Sequence, residues 1–146
     1  MAIQLSGPPP GMPGARVDVR LLQTRSRAML AELGYGDSEL SIALVDDAEI
    51  RRLNGEWRGK KRSTDVLSFS LLEGEGTRHR GKLLGDVVIS VETAARQAAA
   101  RHRGLDEEIG RLVVHGLLHI LGHDHEHAAD AKIMVAEQRR LWRAVG

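Results

Sequence analysis

Five of the chain's seven histidines lie between positions 115 and 127, in the segment HGLLHILGHDHEH. His115 and His119 stand four residues apart in a stretch that is otherwise almost uniformly apolar. On an α-helix this spacing places both imidazoles on one face, where two ring nitrogens can reach the same ion. A buried imidazole without a partner is costly, so the pattern favours a metal site over two packed histidines.

Gly122 follows this stretch and is predicted to end the helix in a backbone conformation that other residues adopt only with strain. The chain then turns back and brings His125 toward the same ion, with His123 beside it. Three imidazole ligands leave a fourth coordination position open, as in catalytic zinc sites, although nickel, cobalt and copper also accept imidazole. We predict one bound Zn²⁺, held by His115, His119 and His125.

The spacing HxxxHxxGxxH is that of the metzincin proteases, HExxHxxGxxH, with one difference. Gly116 stands where those enzymes carry their general-base glutamate. Without that carboxylate, peptide hydrolysis loses its proton acceptor. Hydrolysis of another substrate stays open, because zinc lowers the pKa of bound water to about 7. A zinc metallopeptidase that uses Asp124 or Glu126 as its base is therefore the alternative.

A basic segment precedes the histidines in a chain whose net charge is only +1. Positions 51 to 62 contain one acidic residue, Glu56, and six basic residues: Arg51, Arg52, Arg58, Lys60, Lys61 and Arg62. Such a cluster predicts a footprint for polyanions. The chain has two tryptophans, one tyrosine and one phenylalanine, so we expect contacts to phosphates rather than stacking on bases.

The composition bounds the class of protein. A chain of 146 residues with 42% hydrophobic and 28% charged residues is typical of a soluble globular domain. No apolar run approaches the roughly 20 residues that span a bilayer, and the N-terminus does not resemble a secretory signal, so we expect a cytoplasmic protein without membrane contact. With no cysteine, any metal must bind to His, Asp or Glu.

The chain divides into a tail and one domain. All four prolines fall within the first 13 residues, interleaved with glycines. We interpret residues 1–15 as a flexible Pro/Gly-rich tail outside the fold, and residues 16–146 as a single catalytic domain.

Hydrophobic periodicity predicts an α+β fold, a mixed sheet of about four strands packed with helices. A Gly-rich connection between the last two strands makes them an antiparallel pair, whereas helices separate the earlier strands. The predicted strands are 17–19, 41–45, 65–71 and 83–91, and the predicted helices are 21–33, 47–57, 92–102, 106–121 and 128–143.

Three sequence blocks resemble one family. HGLLHILGHDH resembles the HGxLHLxGYDH signature of the YbeY family of metal-dependent endoribonucleases, and WRGKKRSTDVLSFS resembles that family's YRGKDxPTDVLSFP. LLGDVVISVETA is similar to its third block, LGDIVIS. The blocks occur in the right order and cover most of residues 54–130.

The resemblance implies a small α+β protein with a zincin-like metal helix, which cleaves single-stranded RNA in ribosomal RNA maturation and ribosome quality control. It implies ribosomal RNA, the small ribosomal subunit and assembly factors as partners, and no DNA. The three histidines match the family's zinc ligands, and Arg58 matches the functionally important arginine of YRG. A guanidinium can pair with a phosphate and offset charge at the scissile group. The residues that depart from the family pattern remove no ligand: Trp57, Lys61, Ser63, Ser70 and His123.

Three further residues of these blocks are interpreted as structural. Asp86 is assigned to capping the sheet, with orientation of a metal ligand as the alternative. Thr64 and Asp65 are assigned to the turn that leads into the following strand.

A third hypothesis is a ribosome-associated assembly or binding factor whose metal is mainly structural. A fourth protein ligand, from His123 or His127, would close the site and favour this hypothesis.

Overall fold

The computed structural model describes residues 2–12, 16–60, 62–72, 81–123 and 127–146. Its strands are β1 (Ile3–Ser6), β2 (Glu39–Val45), β3 (Val66–Ser70) and β4 (Leu83–Ser90). Its helices are α1 (Val19–Glu32), α2 (Asp47–Arg58), α3 (Val91–Ala100), α4 (Leu105–Ile120) and α5 (Ala128–Val145). The α+β class and the mixed four-stranded sheet are confirmed. In the described part of the chain, no helix has both the length and the apolarity to cross a bilayer.

The four strands form one sheet in the order β1-β2-β4-β3. Strands β1, β2 and β4 run parallel, and β3 pairs antiparallel with β4. The hydrogen-bonded pairing of β3 with β4 runs from Val66 opposite Ile89 to Ser70 opposite Gly85. Among the described strands, β3 therefore forms one edge of the sheet.

The sheet packs helices on both faces, because successive side chains of a strand point to opposite sides. Val88 of β4 belongs to a small cluster with Ile50 of α2 and Leu67 of β3. The neighbouring positions Val87 and Ile89 belong to the large core that α4 shares with α1 and α5. Helix α4 is thus embedded in the main core, which fixes the position of its few polar side chains.

Two expectations for the N-terminal region are wrong. Residues Ile3–Ser6 form β1 in parallel register with β2, so this part of the predicted tail belongs to the fold. Because apolar and polar residues alternate in the sequence IQLS, one side of the strand packs on the core, and Ile3 is only 4% exposed. The Pro/Gly-rich run begins only at Gly7. Where the single domain begins stays a prediction, and residues 13–15 lie outside the described residues.

The predicted strand at residues 17–19 is also wrong, because Asp18 caps helix α1. Its carboxylate accepts a hydrogen bond from the backbone N–H of Leu21 at 3.1 Å. An aspartate in this position satisfies one of the free N–H groups of the first helical turn, and this outweighs the β propensity of the two flanking valines.

Candidate metal and nucleic-acid site

Helix α4 carries a row of half-buried polar residues. From residue 108 to residue 120 every position is buried except Arg111, His115 and His119, which are half-buried. These three positions recur every four residues and therefore lie above one another on one side of the helix. The other residues from Ile109 to Ile120 are apolar or glycine, and they anchor this row in the core.

The two imidazoles of this row face the same cleft. The ring centroids of His115 and His119 lie 4.6 Å apart, with 67° between the ring planes. Both rings line a cleft of about 690 Å³ that runs along edge strand β3. Neighbouring imidazoles on the wall of an open cleft suit zinc, which binds three such ligands in a catalytic site and keeps a position for water.

The turn after α4 has the predicted form. Gly122 adopts a φ of +101°, and its N–H donates to the carbonyl oxygen of His119 at 3.0 Å. The N–H of His123 donates to the carbonyl oxygen of Leu118 at 3.0 Å, so the helix ends here. Glycine tolerates this positive φ without strain. His123 then lines the same cleft as the two helical histidines.

The third predicted ligand, His125, lies outside the described residues, as do Asp124 and Glu126. Within the described ranges, no three His, Asp or Glu side chains form a group that could hold a metal. The complete ligand set therefore stays a prediction. His127 is exposed and precedes the first residue of α5.

The cleft also has basic lining residues. Arg58 is the last residue of α2, and Gly59 ends the helix with a φ of +67°. Arg58 and the following Lys60 and Arg62 all line the cleft, whereas Lys61 lies outside the described residues. Three cations thus line the same cleft as the two imidazoles.

A buried asparagine holds this basic loop in place. Asn54 is 3% exposed, and its side-chain Nδ2 donates to the carbonyl oxygen of Arg62 at 2.9 Å. Asn54 was missed at the sequence level. The feature that could have identified it is its position: Asn54 is a polar residue one helical turn after the fully buried Ile50, on the buried face of α2.

Asp65 fixes the entry into β3, which supports its structural interpretation. One carboxylate oxygen accepts from the N–H of Val66 at 2.8 Å, and the other accepts from Nε2 of Gln97 at 3.2 Å. Asp65 is also the one carboxylate among the described residues that line the cleft. Asp86 lies in β4 between its sheet partners Ser41 and Phe69 and does not line the cleft, which supports its structural interpretation.

Gly116 faces the sheet instead of the cleft. A Cβ at this position would lie 2.9 Å from Cγ1 and 3.0 Å from Cγ2 of Val87. The glycine therefore lets α4 approach β4 closely. A glutamate here would point its first carbon into the core, so the metzincin arrangement is sterically blocked in this chain.

Gln138 of α5 also reaches this site. Its Nε2 lies 2.5 Å from Nδ1 of His115, a contact that sequence patterns did not reveal. The preceding residue of α5 is Glu137, and a hydrogen bond from Arg140 lowers the pKa of its carboxyl below the ordinary value. The charges of Arg140 and His123 lower this pKa further. Helix α5 therefore packs its polar side against the histidine cluster.

The family model described as Endoribonuclease YbeY matches residues 17–146. The chain belongs to the YbeY family. A relative named endoribonuclease YbeY from Anaeromyxobacter sp. (strain Fw109-5) is 53% identical over 134 residues, which make up 92% of this chain and 68% of the relative. A relative of the same name from Myxococcus xanthus (strain DK1622) is 51% identical over 122 residues, 84% of this chain and 42% of the relative.

A solved structure supports the same placement. The solution structure of TM1509 from Thermotoga maritima is 27% identical to this YbeY family member and superimposes with a TM-score of 0.67. The match covers 98% of this chain and 88% of that one. The resemblance inferred from the three sequence blocks is therefore confirmed. In the structure, His115, His119 and Arg58 line one cleft.

Proposed function

We propose that this YbeY family member is a single-strand-specific, zinc-dependent endoribonuclease that acts on ribosomal RNA in the cytoplasm, in its maturation and in ribosome quality control. The observation that carries the proposal is the shared cleft, which His115 and His119 line together with the cations of Arg58, Lys60 and Arg62. A pair of imidazoles that can bind an ion, in a cleft with basic side chains, fits a phosphodiester better than a neutral peptide. Relatives that carry the name endoribonuclease support it.

The metal is proposed to bind to His115, His119 and His125. When bound, zinc supplies a Lewis acid and lowers the pKa of a coordinated water. The protein's own contribution is to hold the ligands. Helix α4 fixes two rings 4.6 Å apart, and Gly122, with a φ of +101°, ends the helical segment three residues before His125.

Arg58 is proposed to bind the scissile phosphate. A guanidinium donates two parallel hydrogen bonds to phosphate oxygens and offsets charge that develops during cleavage. Lys60 and Arg62 extend the positive surface along the strand, so RNA affinity should fall steeply with salt. A cleft of about 690 Å³ has the size of a small-molecule pocket, which suits a few nucleotides of a single strand.

The decisive experiment is an RNA-cleavage assay on the purified chain, paired with metal analysis. Cleavage of labelled single-stranded RNA should stop after chelation and in His119→Ala, and it should return when zinc is added to the chelated wild type. Duplex RNA, single-stranded DNA and casein should remain intact. His102→Asn is the control, because His102 is exposed, lies outside the cleft, and has a positive φ of 54° that asparagine tolerates. Undiminished cleavage by the metal-free protein would refute zinc dependence.

The ribosomal role needs a separate test. We propose ribosomal RNA as the substrate, with the small subunit and assembly factors as partners. Depletion of the protein should cause precursors of ribosomal RNA to accumulate, and wild-type protein but not His119→Ala should restore processing.

One observation favours a second candidate, an assembly factor with a structural metal. His123 lines the cleft and could close the coordination of the ion. Extended X-ray absorption of the zinc-loaded chain separates the two candidates. Three nitrogen ligands plus water in both wild type and His123→Ala support the enzyme, whereas a fourth imidazole that disappears in His123→Ala supports the structural site.

A further inference from the structure

A second groove adjoins the main cleft at His115. It has a volume of about 370 Å³ and shares His115 and Asp65 with the main cleft. Four arginines line it: Arg101, Arg103, Arg111 and Arg139. The two recesses therefore meet at the imidazole that is proposed to bind the metal.

The polar row of α4 connects the two recesses. His119 lines the main cleft, His115 lines both, and Arg111 lines the groove. Because an α-helix rises 1.5 Å per residue, Arg111 lies about 6 Å beyond His115 along the helix axis. A strand bound at the two histidines meets Arg111 next as it continues along α4.

Part of the groove's positive charge is neutralised within the protein. Glu108, which is 1% exposed, pairs with Arg101 and with Arg103, the latter at 3.4 Å. Arg111 pairs with Glu107 at 2.9 Å, and its guanidinium lies 5.0 Å from the ring centroid of Trp142. These contacts hold the arginines in fixed positions on the groove wall.

Arg139 differs from the other three arginines. It is exposed on α5, and its guanidinium makes no hydrogen bond or ion pair with a described residue. The groove therefore offers a cation that is available to a ligand, beside an arginine that is already oriented by Trp142. Oriented guanidinium groups in a basic groove favour phosphate oxygens.

We propose that this groove is a second phosphate-binding subsite, which holds the RNA strand beyond the scissile phosphate in the main cleft. This inference rests on the proposed endoribonuclease function and extends it. The groove lengthens the footprint of the enzyme from the main cleft to the α3–α4 connection. Affinity should therefore depend on RNA length.

The test compares Arg139→Glu with Arg27→Glu in the full chain. Arg27 is an exposed arginine on α1 that lines neither recess, so the control makes the same change of charge elsewhere. The probes are fluorescein-labelled oligouridylates of about 4 and about 12 nucleotides, the first covering one recess and the second both. Arg139→Glu should weaken binding of the longer probe about tenfold and leave the shorter one unchanged. Arg139→Ala should reduce the salt slope for the longer probe by about 1.

The outcomes separate this inference from the proposed function. If wild type cleaves RNA but Arg139→Glu binds both probes like wild type, the subsite is refuted and the function stands. An equal loss of affinity for both probes also refutes the subsite, since the substitution would then weaken RNA binding regardless of RNA length. If wild type neither binds nor cleaves RNA, both proposals fall. A loss confined to the longer probe and absent from Arg27→Glu supports the subsite.

Discussion

The side-chain amide of Gln138 lies against the ring of His115, with its Nε2 2.5 Å from the ring Nδ1. The contact joins α5 to α4 across 23 residues of sequence. An amide can present its oxygen or its nitrogen to the ring. When the amide oxygen of Gln138 points toward Nδ1 of His115, it accepts the Nδ1–H of the ring. The lone pair on Nε2 of the His115 ring then stays available for an ion. Gln138 is therefore placed to orient His115 as the proposed metal ligand.

Replacing Gln138 by leucine should weaken zinc binding. Loss of the hydrogen-bond partner of a ligating histidine lowers metal affinity by about 10–100-fold. Competition with a chromophoric chelator measures this affinity. Gln138→Glu keeps an acceptor and should retain wild-type affinity. Thermal unfolding of the metal-free variants checks that the fold is intact, and equal zinc affinity in Gln138→Leu and wild type would contradict the assignment.

Arg58→Ala should reduce RNA cleavage about 10²–10³-fold while the zinc content stays at the wild-type level, because the side chain acts on the phosphate and not on the ion. Arg58→Lys should recover only part of the rate, since an ammonium cannot form the bidentate pair. Arg51→Ala is the matched control, an exposed arginine on the same helix that does not line the cleft. A similar loss in Arg51→Ala would show that total charge, and not the position of Arg58, sets the rate.

The parts of the site that sequence predicts are local ones. The helix, its two histidines and the turn at Gly122 follow from spacing within a few residues, because helical periodicity fixes which side chains share a face. The contacts of Gln138 with His115 and of Asn54 with Arg62 join separate segments, and no local pattern encodes them.

Strand β1 was missed for a different reason. Its four residues, Ile3–Ser6, are followed directly by a Pro/Gly-rich run that dominates the composition of the region. So short a strand is stabilised mainly by pairing with β2 and by burial of Ile3. Both contributions arise from tertiary contacts, which composition does not report.

Asp47 makes the protein sensitive to acid. Burial, the largest single influence, raises the pKa of its carboxyl, but hydrogen bonds from Ser90, Thr93 and Arg96 and the charge of Arg96 together lower it from 3.8 to about 2. Two of these bonds, from Ser90 Oγ and Thr93 Oγ1, measure 2.5 and 2.6 Å. A carboxyl with a lowered pKa stabilises the folded state fully above its unfolded value and loses that contribution as pH falls through the folded value.

We therefore expect Asp47→Asn to unfold more easily than wild type at pH 7, by at most about 2 kcal/mol. The difference should shrink as the pH falls from about 4 toward 2. Urea unfolding at several pH values measures it, with Asp130→Asn, an exposed aspartate of α5, as the control for loss of a surface carboxylate. A difference that does not change with pH would mean that the asparagine perturbs packing and not a charged interaction.

Gly116→Ala tests the close packing of α4 on the sheet. The added methyl would lie 2.9 Å from Cγ1 of Val87, so one side chain or the helix must shift. Overpacking of this kind costs about 1–3 kcal/mol in the free energy of unfolding. Gly116→Glu should cost more, since it also forces a carboxylate toward the core, and it should not create peptidase activity.

The double variant Gly116→Ala/Val87→Ala identifies the cause. Val87→Ala alone should destabilise the protein by removing buried methyl groups, yet it also makes room for the new methyl at position 116. If the clash is responsible, the double variant loses less stability than the two single losses added together. Additive losses in urea unfolding would show that Gly116 is needed for its backbone and not for its contact with Val87. A casein assay of Gly116→Glu tests whether a carboxylate at position 116 can act as the general base of a protease. We expect no turnover from this variant or from the alanine variants.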